Sequence, residues 1–207
     1  MAFVKRPATN SDRHDERAQN RELSGLLEAL TSSDPTARRW AVRDLVQHPG
    51  AVVALTNQLQ IENDASVRKA ILLALTQSGS REAIDGLVHC LRSEDVGLRN
   101  EAIEAMKLMP DSVAPLMNSL LHDADPDVRI FSVNVLESLK HPNVEQWLID
   151  VISHDDHINV CATAVDLLVE VGTVTSVIPL QNLKQKFTHE PYISFAADLA
   201  IKRIQGA

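Results

Sequence analysis

The sequence predicts an all-α protein assembled from about five to six helical hairpins. Hydrophobic residues make up 44% of the 207-residue chain, but aromatic residues only 3%, so the core must consist of Leu, Ile, Val and Ala, as in packed helices. The 7 glycines are too few for many tight β turns. The strongest evidence for repeated helical hairpins is one helix-start motif that recurs along the chain.

This helix start repeats at a nearly constant spacing. Each strong copy has Asp, an apolar residue three positions later, and then Arg. The copies are DPTARRWAVRDL from Asp34, DASVRKAILLAL from Asp64, DVGLRNEAIEAM from Asp95 and DPDVRIFSVNVL from Asp125, at steps of 30, 31 and 30 residues. Asp at such a position caps the first turn of a helix, and proline is tolerated directly after it. Two weaker copies, from His157 and Glu190, have Cys161 and Ser194 in place of Arg.

The repeated Arg needs a different explanation, because the helix dipole favours acidic residues in a first turn. An Asp and an Arg at a fixed offset predict a structural ladder in which each Arg bridges to the Asp of a neighbouring repeat. Its predicted members are Asp34, Arg38, Asp64, Arg68, Asp95, Arg99, Asp125 and Arg129.

A second amphipathic helix is predicted between successive first helices. These segments align on Leu55, Leu87, Leu116, Leu148 and Leu180. Short stretches that contain helix-breaking Gly or Pro separate them from the first helices. An unpaired helix over 20–30 precedes the first repeat. We therefore expect a repeat domain over 18–207 and a flexible tail over 1–17, of which MAFVKRP is a candidate docking element for a partner or a second copy.

The DxxVR spacing resembles that of the HEAT-like repeat family, in its short form of about 30 residues also found in phycobilisome lyase subunits. The resemblance covers roughly residues 20–207. It implies a right-handed α-α superhelix, a HEAT-like solenoid, whose second helices line a concave face and whose function is usually to hold another protein.

Positions on the second helices that point away from the core are the candidate partner-binding residues. At about 100° per residue, the position two after each aligned Leu lies opposite the apolar stripe. This column is Asn57, His89, Asn118, Asp150 and Asn182. The predicted partner-binding set adds Asp85, Gln146 and Trp147, which precede the aligned Leu of their helices. Trp147 is the large ring of the set, and tryptophan is common at binding hot spots. The alternatives are a solvated helix face and, for Trp147, packing against the adjoining repeat.

Charge and composition exclude several classes of partner. A net charge of −8 and a pI near 5.4 oppose nucleic-acid binding, which depends on clustered Lys and Arg. No run of 18 apolar residues and no secretory signal occurs, so we expect a cytoplasmic protein with no membrane partner. Cys90 and Cys161 are in no CxxC spacing, which predicts neither a disulfide framework nor a zinc site.

No catalytic residue, metal or cofactor is predicted. Two successive turns between repeats carry His122, Asp123 and Asp125, then His154, Asp155, Asp156 and His157, and some of these side chains could meet a metal ion. Asp125 and Asp156 are, however, expected as helix caps. The pair His189 and Glu190 resembles the HE dipeptides of HEAT-type deoxyhypusine hydroxylases, but that family needs several such pairs.

The sequence therefore favours a non-catalytic adaptor that binds a protein or peptide on the concave face, with weak homo-oligomerisation as a further expectation. The alternative is a subunit like those of bilin lyases, or a chaperone of a modified protein, which the repeat length and ARRWAVRDL resemble. The low aromatic content opposes tetrapyrrole binding. A HEAT-like DNA glycosylase would need a basic groove, which the acidic balance opposes.

Overall fold

The computed structural model describes residues 22–206, which form twelve α-helices and no strand. The helices of the first half are α1 (Leu23–Leu30), α2 (Pro35–Leu45), α3 (Val52–Ile61), α4 (Ala65–Ser78), α5 (Arg81–Cys90) and α6 (Val96–Lys107). Those of the second half are α7 (Pro110–Leu121), α8 (Pro126–Leu136), α9 (Val144–His154), α10 (Ile158–Val171), α11 (Val177–Lys186) and α12 (Pro191–Gln205). The all-α prediction is confirmed. The predicted tail over 1–17, with its MAFVKRP element, lies outside the described residues.

The chain divides into two compact units, with the boundary after Gly86 in α5. In unit 1, the helix before the first repeat, α1, packs on α2, and α2 packs on α4. In unit 2, the first helices α8, α10 and α12 pack side by side, while α7, α9 and α11 provide the second helices of the hairpins. Within each unit, neighbouring first helices therefore lie together, as the repeat predicts.

Aliphatic side chains fill both cores. The largest fully buried side chains are Leu45, Leu59, Ile71 and Leu75 in unit 1, and Leu87, Leu91, Met106, Met117, Leu136, Leu148, Ile152 and Leu168 in unit 2. Burial of a Leu or Ile side chain stabilises the fold by about 1.5–3 kcal/mol, so these positions account for much of the apolar driving force.

The four repeated Asp residues cap their helices as predicted. A side-chain oxygen of each accepts a hydrogen bond from a backbone N–H of the first turn, for example Thr36 to Asp34 at 2.9 Å and Gly97 to Asp95 at 2.8 Å. Asp64 and Asp125 form the same bond. His157 and Glu190, the caps of the weaker copies, form no side-chain capping bond.

Two of the repeated Arg residues, Arg38 and Arg129, have a different partner from the predicted one. Arg38 forms a two-pronged ion pair with Glu62, at 2.7 and 2.6 Å, whereas the prediction assigned the capping Asp64 two residues later. Arg129 pairs in the same way with Asp155, at 2.6 and 3.0 Å. In both cases the acceptor is the residue two positions before the next cap.

That position is polar in five successive repeats, and its side chain accepts a hydrogen bond from the backbone N–H of the capping residue. Its occupants are Ser32, Glu62, Ser93, Asp123 and Asp155. Its carbonyl also accepts a bond from the Arg of its own repeat, as in Arg38 to Ser32 at 2.8 Å, Arg99 to Ser93, and Arg129 to Asp123 at 2.8 Å. In these three repeats the Arg thus ties down the turn before its own helix, and for Arg38 and Arg129 an acidic residue in the next turn adds an ion pair.

Cys161 takes over part of this role where the Arg is replaced. Its buried thiol donates to the carbonyl of Asp155, six residues earlier, at 3.1 Å. Lys186, at the end of α11, donates to the same carbonyl at 2.8 Å. The turn before α10 is therefore held although its Arg is absent.

A second polar cluster fixes the turn before α11. The carboxylate of Glu145 accepts the backbone N–H of Thr173 at 2.6 Å and the hydroxyls of Thr173, Thr175 and Ser176. Burial by itself would raise the pKa of Glu145, but these hydrogen bonds outweigh it and the pKa is lowered. This cluster anchors α11 to the start of α9, the helix that carries Trp147 and Asp150.

Candidate partner-binding site

The register of the second helices determines which side chains they expose. Leu55, Leu87, Leu148 and Leu180 are buried, as the alignment of these helices predicts. In α7 the buried residue is Met117 and not Leu116, which is only half-buried, so the predicted register of this helix is wrong by one residue. Leu116 and Met117 are adjacent apolar residues, and Pro115 precedes them within α7. The hydrophobic pattern therefore did not distinguish a register with Leu116 buried from one with Met117 buried.

The predicted residues of unit 1 are exposed and do not form a cluster. Asn57 lies on the surface of α3, and Asp85, on α5, forms an exposed ion pair with Arg81 at 2.9 Å. Exposed pairs of this kind contribute only about 0.3–0.5 kcal/mol. Among the described residues of unit 1, neither side chain forms a hydrogen bond or ion pair with another predicted partner-binding residue.

Asp150 lies at the centre of a polar cluster in unit 2. Its carboxylate is 3.2 Å from Nε2 of His122, at the end of α7, and 3.0 Å from Nδ1 of His154, one turn further along α9. Nδ1 of His122 is in turn 2.8 Å from the carbonyl oxygen of Asn118. The structure therefore joins Asp150 to Asn118 through His122.

A groove of about 520 Å³ opens beside this cluster, between the turn that follows α7 and the turn that follows α9. It is lined by Leu121, His122, Asp123, Arg129, Asp150, Val151, His154, Asp155, Asp156 and His157. The Arg129–Asp155 pair forms its floor, with only 16% and 8% of the two side chains exposed. Burial by itself would raise the pKa of Asp155, but the bonds from Arg129 and from the amide of His157 outweigh it and the pKa is lowered. The Asp155 carboxylate in the floor of the groove therefore stays ionised.

Most carboxylates of the groove already pair with a permanent cation. Asp123 pairs with Arg92, Asp155 with Arg129, and Asp156 with Lys186. In the described part of the chain, the only basic side chains within 4 Å of the Asp150 carboxylate are the imidazoles of His122 and His154. Asp150 is thus the carboxylate in this groove that a basic group from outside can pair with.

Trp147 lies one turn before Asp150 on α9 and is half-buried. Its ring stacks on the imidazole of His141, with centroids 4.9 Å apart and planes at 17°. This stacking holds the indole in a fixed orientation, as a rigid contact residue requires. His89, Gln146 and Asn182 are exposed on α5, α9 and α11, and within residues 22–206 no side-chain hydrogen bond joins them to the Asp150 cluster.

Sequence reasoning placed His122 and His154 in a metal hypothesis and missed their contact with Asp150. Each lies four residues after a predicted residue, His122 after Asn118 and His154 after Asp150, so the helical period contained the signal. The stacking of His141 on Trp147 had no such signal, because His141 precedes α9 in a turn.

Other chemistry in the described residues is structural. Among residues 22–206, no group of three or more His, Cys, Asp or Glu side chains is arranged to hold a metal ion. Burial raises the pKa of Cys161 to about 11, which keeps it a protonated thiol. Over the same residues, no helix combines the length and the apolar character needed to cross a membrane.

Comparison with known proteins identifies the repeat. The family model for HEAT repeats matches residues 23–107 and 113–192, most of the described chain. The chain belongs to the HEAT repeat family. The resemblance seen in the DxxVR spacing is thereby confirmed.

This HEAT repeat protein is similar to the bilin biosynthesis protein PecE of Mastigocladus laminosus, with 32% identity over 123 residues. The match covers 58% of this chain and 46% of PecE, so the chain spans less than half of that relative. Among solved structures, it is similar to an archaeal HEAT-like repeats protein from Thermococcus onnurineus NA1, with a TM-score of 0.47, 18% identity and coverage of 98% and 99% of the two chains. It is also similar to the complex of CpcE and CpcF of phycocyanin lyase from Nostoc sp. PCC7120, with a TM-score of 0.36, 17% identity and coverage of 99% and 100%.

Proposed function

We propose that this HEAT repeat protein is a non-catalytic binding module that holds a protein partner at the groove beside Asp150. The observation that carries the proposal is the arrangement of that groove, where a carboxylate without a Lys or Arg partner in the described structure lies between two imidazoles. A Lys or Arg side chain of a partner is the group that complements it.

Trp147 adds an aromatic contact next to this charge. Binding energy at protein interfaces concentrates in a few residues, with Trp, Tyr and Arg enriched, surrounded by contacts that exclude water. The separation of one helical turn between Trp147 and Asp150 suits a partner segment that presents an apolar and a basic side chain about 5 Å apart along its length. A segment of this chemistry is what we expect to bind.

The test is a comparison of capture and affinity among variants of the full chain. Trp147→Ala and Asp150→Asn are used as bait beside wild type, with Glu170→Gln, an exposed carboxylate on α10, as the matched control. A partner retained by wild type and Glu170→Gln is then purified and titrated. We expect each site variant to weaken binding at least about tenfold, which corresponds to about 1.4 kcal/mol.

Salt gives a second measurement. A contact between Asp150 and a basic side chain is screened as ionic strength rises, so wild-type affinity should fall from low to high salt while that of Asp150→Asn changes less. If wild type and both site variants bind the partner equally well, the partner does not bind in this groove and the proposal is refuted.

A second candidate function is that of a subunit in bilin biosynthesis, which the 32% identity to PecE favours. The chain would then hold a bilin or the protein that carries it. Mixing wild type with a free bilin should shift the bilin absorbance band, and Asp150→Asn should reduce the shift. No spectral change with wild type would refute bilin binding and leave the protein-binding proposal intact.

A further inference from the structure

The last helix carries an apolar stripe on its exposed surface. Tyr192, Phe195 and Leu199 on α12 are 52%, 66% and 45% exposed. Spacings of three and four residues place them on one face of the helix. The buried positions of the same helix, Ile193, Ala196, Ala197 and Ala200, pack against α10 and α11.

The stripe is not a requirement of the repeat. Counted from the cap, the equivalent positions in α10 are Asn159, Ala162 and Asp166, which are polar or small. The hairpin therefore packs without large apolar side chains on this face. In α12 three of them are exposed to water, which is unfavourable unless another surface covers them.

Charges at the two ends of the stripe have opposite signs. Asp166, which accepts a 2.7 Å bond from the Tyr192 hydroxyl, and Glu190, at the cap of α12, lie at its N-terminal end. Lys202 and Arg203 lie at its C-terminal end. Arg203 already donates to the carbonyl of Gly172, whereas Lys202 and Glu190 form no ion pair with another described residue. An antiparallel copy of the same helix would place each acidic end against a basic end.

We propose that α12 docks antiparallel on α12 of a second copy of this chain, with a two-fold axis near Phe195. In such a self-complementary contact, Tyr192 of one copy lies opposite Leu199 of the other, and Lys202 lies within about one residue of the level of Glu190. Three side chains per copy are fewer than the roughly 20–30 residues of a standard interface, so the dimer is weak, with a dissociation constant on the order of 100 µM.

Sedimentation velocity over a concentration series tests the interface. Wild type should pass from monomer to dimer up to ~0.5 mM, and Phe195→Asp should raise the dissociation constant at least about tenfold. Leu73→Asp, at a similarly exposed apolar position on α4 (57% against 66% for Phe195), is the matched control and should leave self-association unchanged. A wild type that stays monomeric throughout, or a dimer that Phe195→Asp does not weaken, overturns the proposal.

Charge reversal tests the antiparallel arrangement. Lys202→Glu alone and Glu190→Lys alone each place like charges together at both ends of a homodimer, so both variants should be more monomeric than wild type. Mixed in equal amounts they restore an opposite pair at both ends, and dimer should return. A mixture that remains as monomeric as its components refutes the antiparallel pairing, as does a dimer equally stable in all samples. Glu190 forms no side-chain capping bond, so its reversal removes no cap from α12.

Discussion

Replacement of Arg38 by alanine should be among the most destabilising single changes in unit 1. Its partner Glu62 has a side chain only 1% exposed, and besides Arg38 it accepts bonds from Gln58 and from the backbone N–H of Asp64, both at 2.9 Å. The bond from Arg38 is the main reason that the pKa of Glu62 falls from 4.5 to about 2. A depression of that size corresponds to about 3 kcal/mol of unfolding free energy at neutral pH.

The loss in the Arg38→Ala variant at pH 7 should be about 3–5 kcal/mol, because the carboxylate of Glu62 is left buried without its cation. A carboxyl with a lowered pKa stabilises the fold above its unfolded pKa, and this contribution disappears as the pH falls towards the folded pKa. The part of this difference that comes from the Glu62 ion pair should therefore shrink to less than about 1 kcal/mol as the pH falls from 4.5 towards 2. The cost of losing the bond from Arg38 to the Ser32 carbonyl does not depend on Glu62 and should remain.

Urea unfolding at a series of pH values measures this difference. Arg39→Ala, at the adjacent exposed position, is the matched control and should stay within about 0.5 kcal/mol of wild type at every pH. The ion pair does not stabilise the fold as argued if Arg38→Ala lowers the free energy of unfolding no more than Arg39→Ala does. The same conclusion follows if the loss in Arg38→Ala is equal at pH 7 and near pH 2.

Three further experiments test other parts of the fold. Arg99→Ala removes the bond that ties down the turn before α6, and urea unfolding should show a loss of about 1–3 kcal/mol; no change would refute a structural role for this Arg. Gly86→Ala places a Cβ 2.3 Å from Cγ2 of Thr56 and should cost about 1–3 kcal/mol, whereas Gly50→Ala meets nothing within 4 Å and should be neutral, so equal melting temperatures would contradict the packing. Cys161, with its pKa raised by burial to about 11, should resist a thiol reagent at pH 8 until the protein is unfolded in urea, and rapid native labelling would contradict its burial.

The location of the partner groove depended on tertiary structure more than on sequence pattern. Asp150, Trp147 and Asn118 were identified by helical periodicity, which reports the face on which a residue lies. Periodicity does not report which neighbouring helix end lies against that face. The approach of His122 to Asp150 depends on the packing of α7 beside α9. The register of α7 was itself predicted wrongly by one residue.

The sequence by itself determined the all-α repeat, the helix starts and the capping Asp residues, since these depend on interactions within a few residues of each other. It also indicated that the repeated Arg is structural. The tertiary structure decided its partners: Glu62 for Arg38 and Asp155 for Arg129, both more than twenty positions away in sequence. Local hydrogen bonding and helical period are encoded in neighbouring residues, whereas the pairing of distant charges follows from how successive hairpins stack, which no short segment specifies.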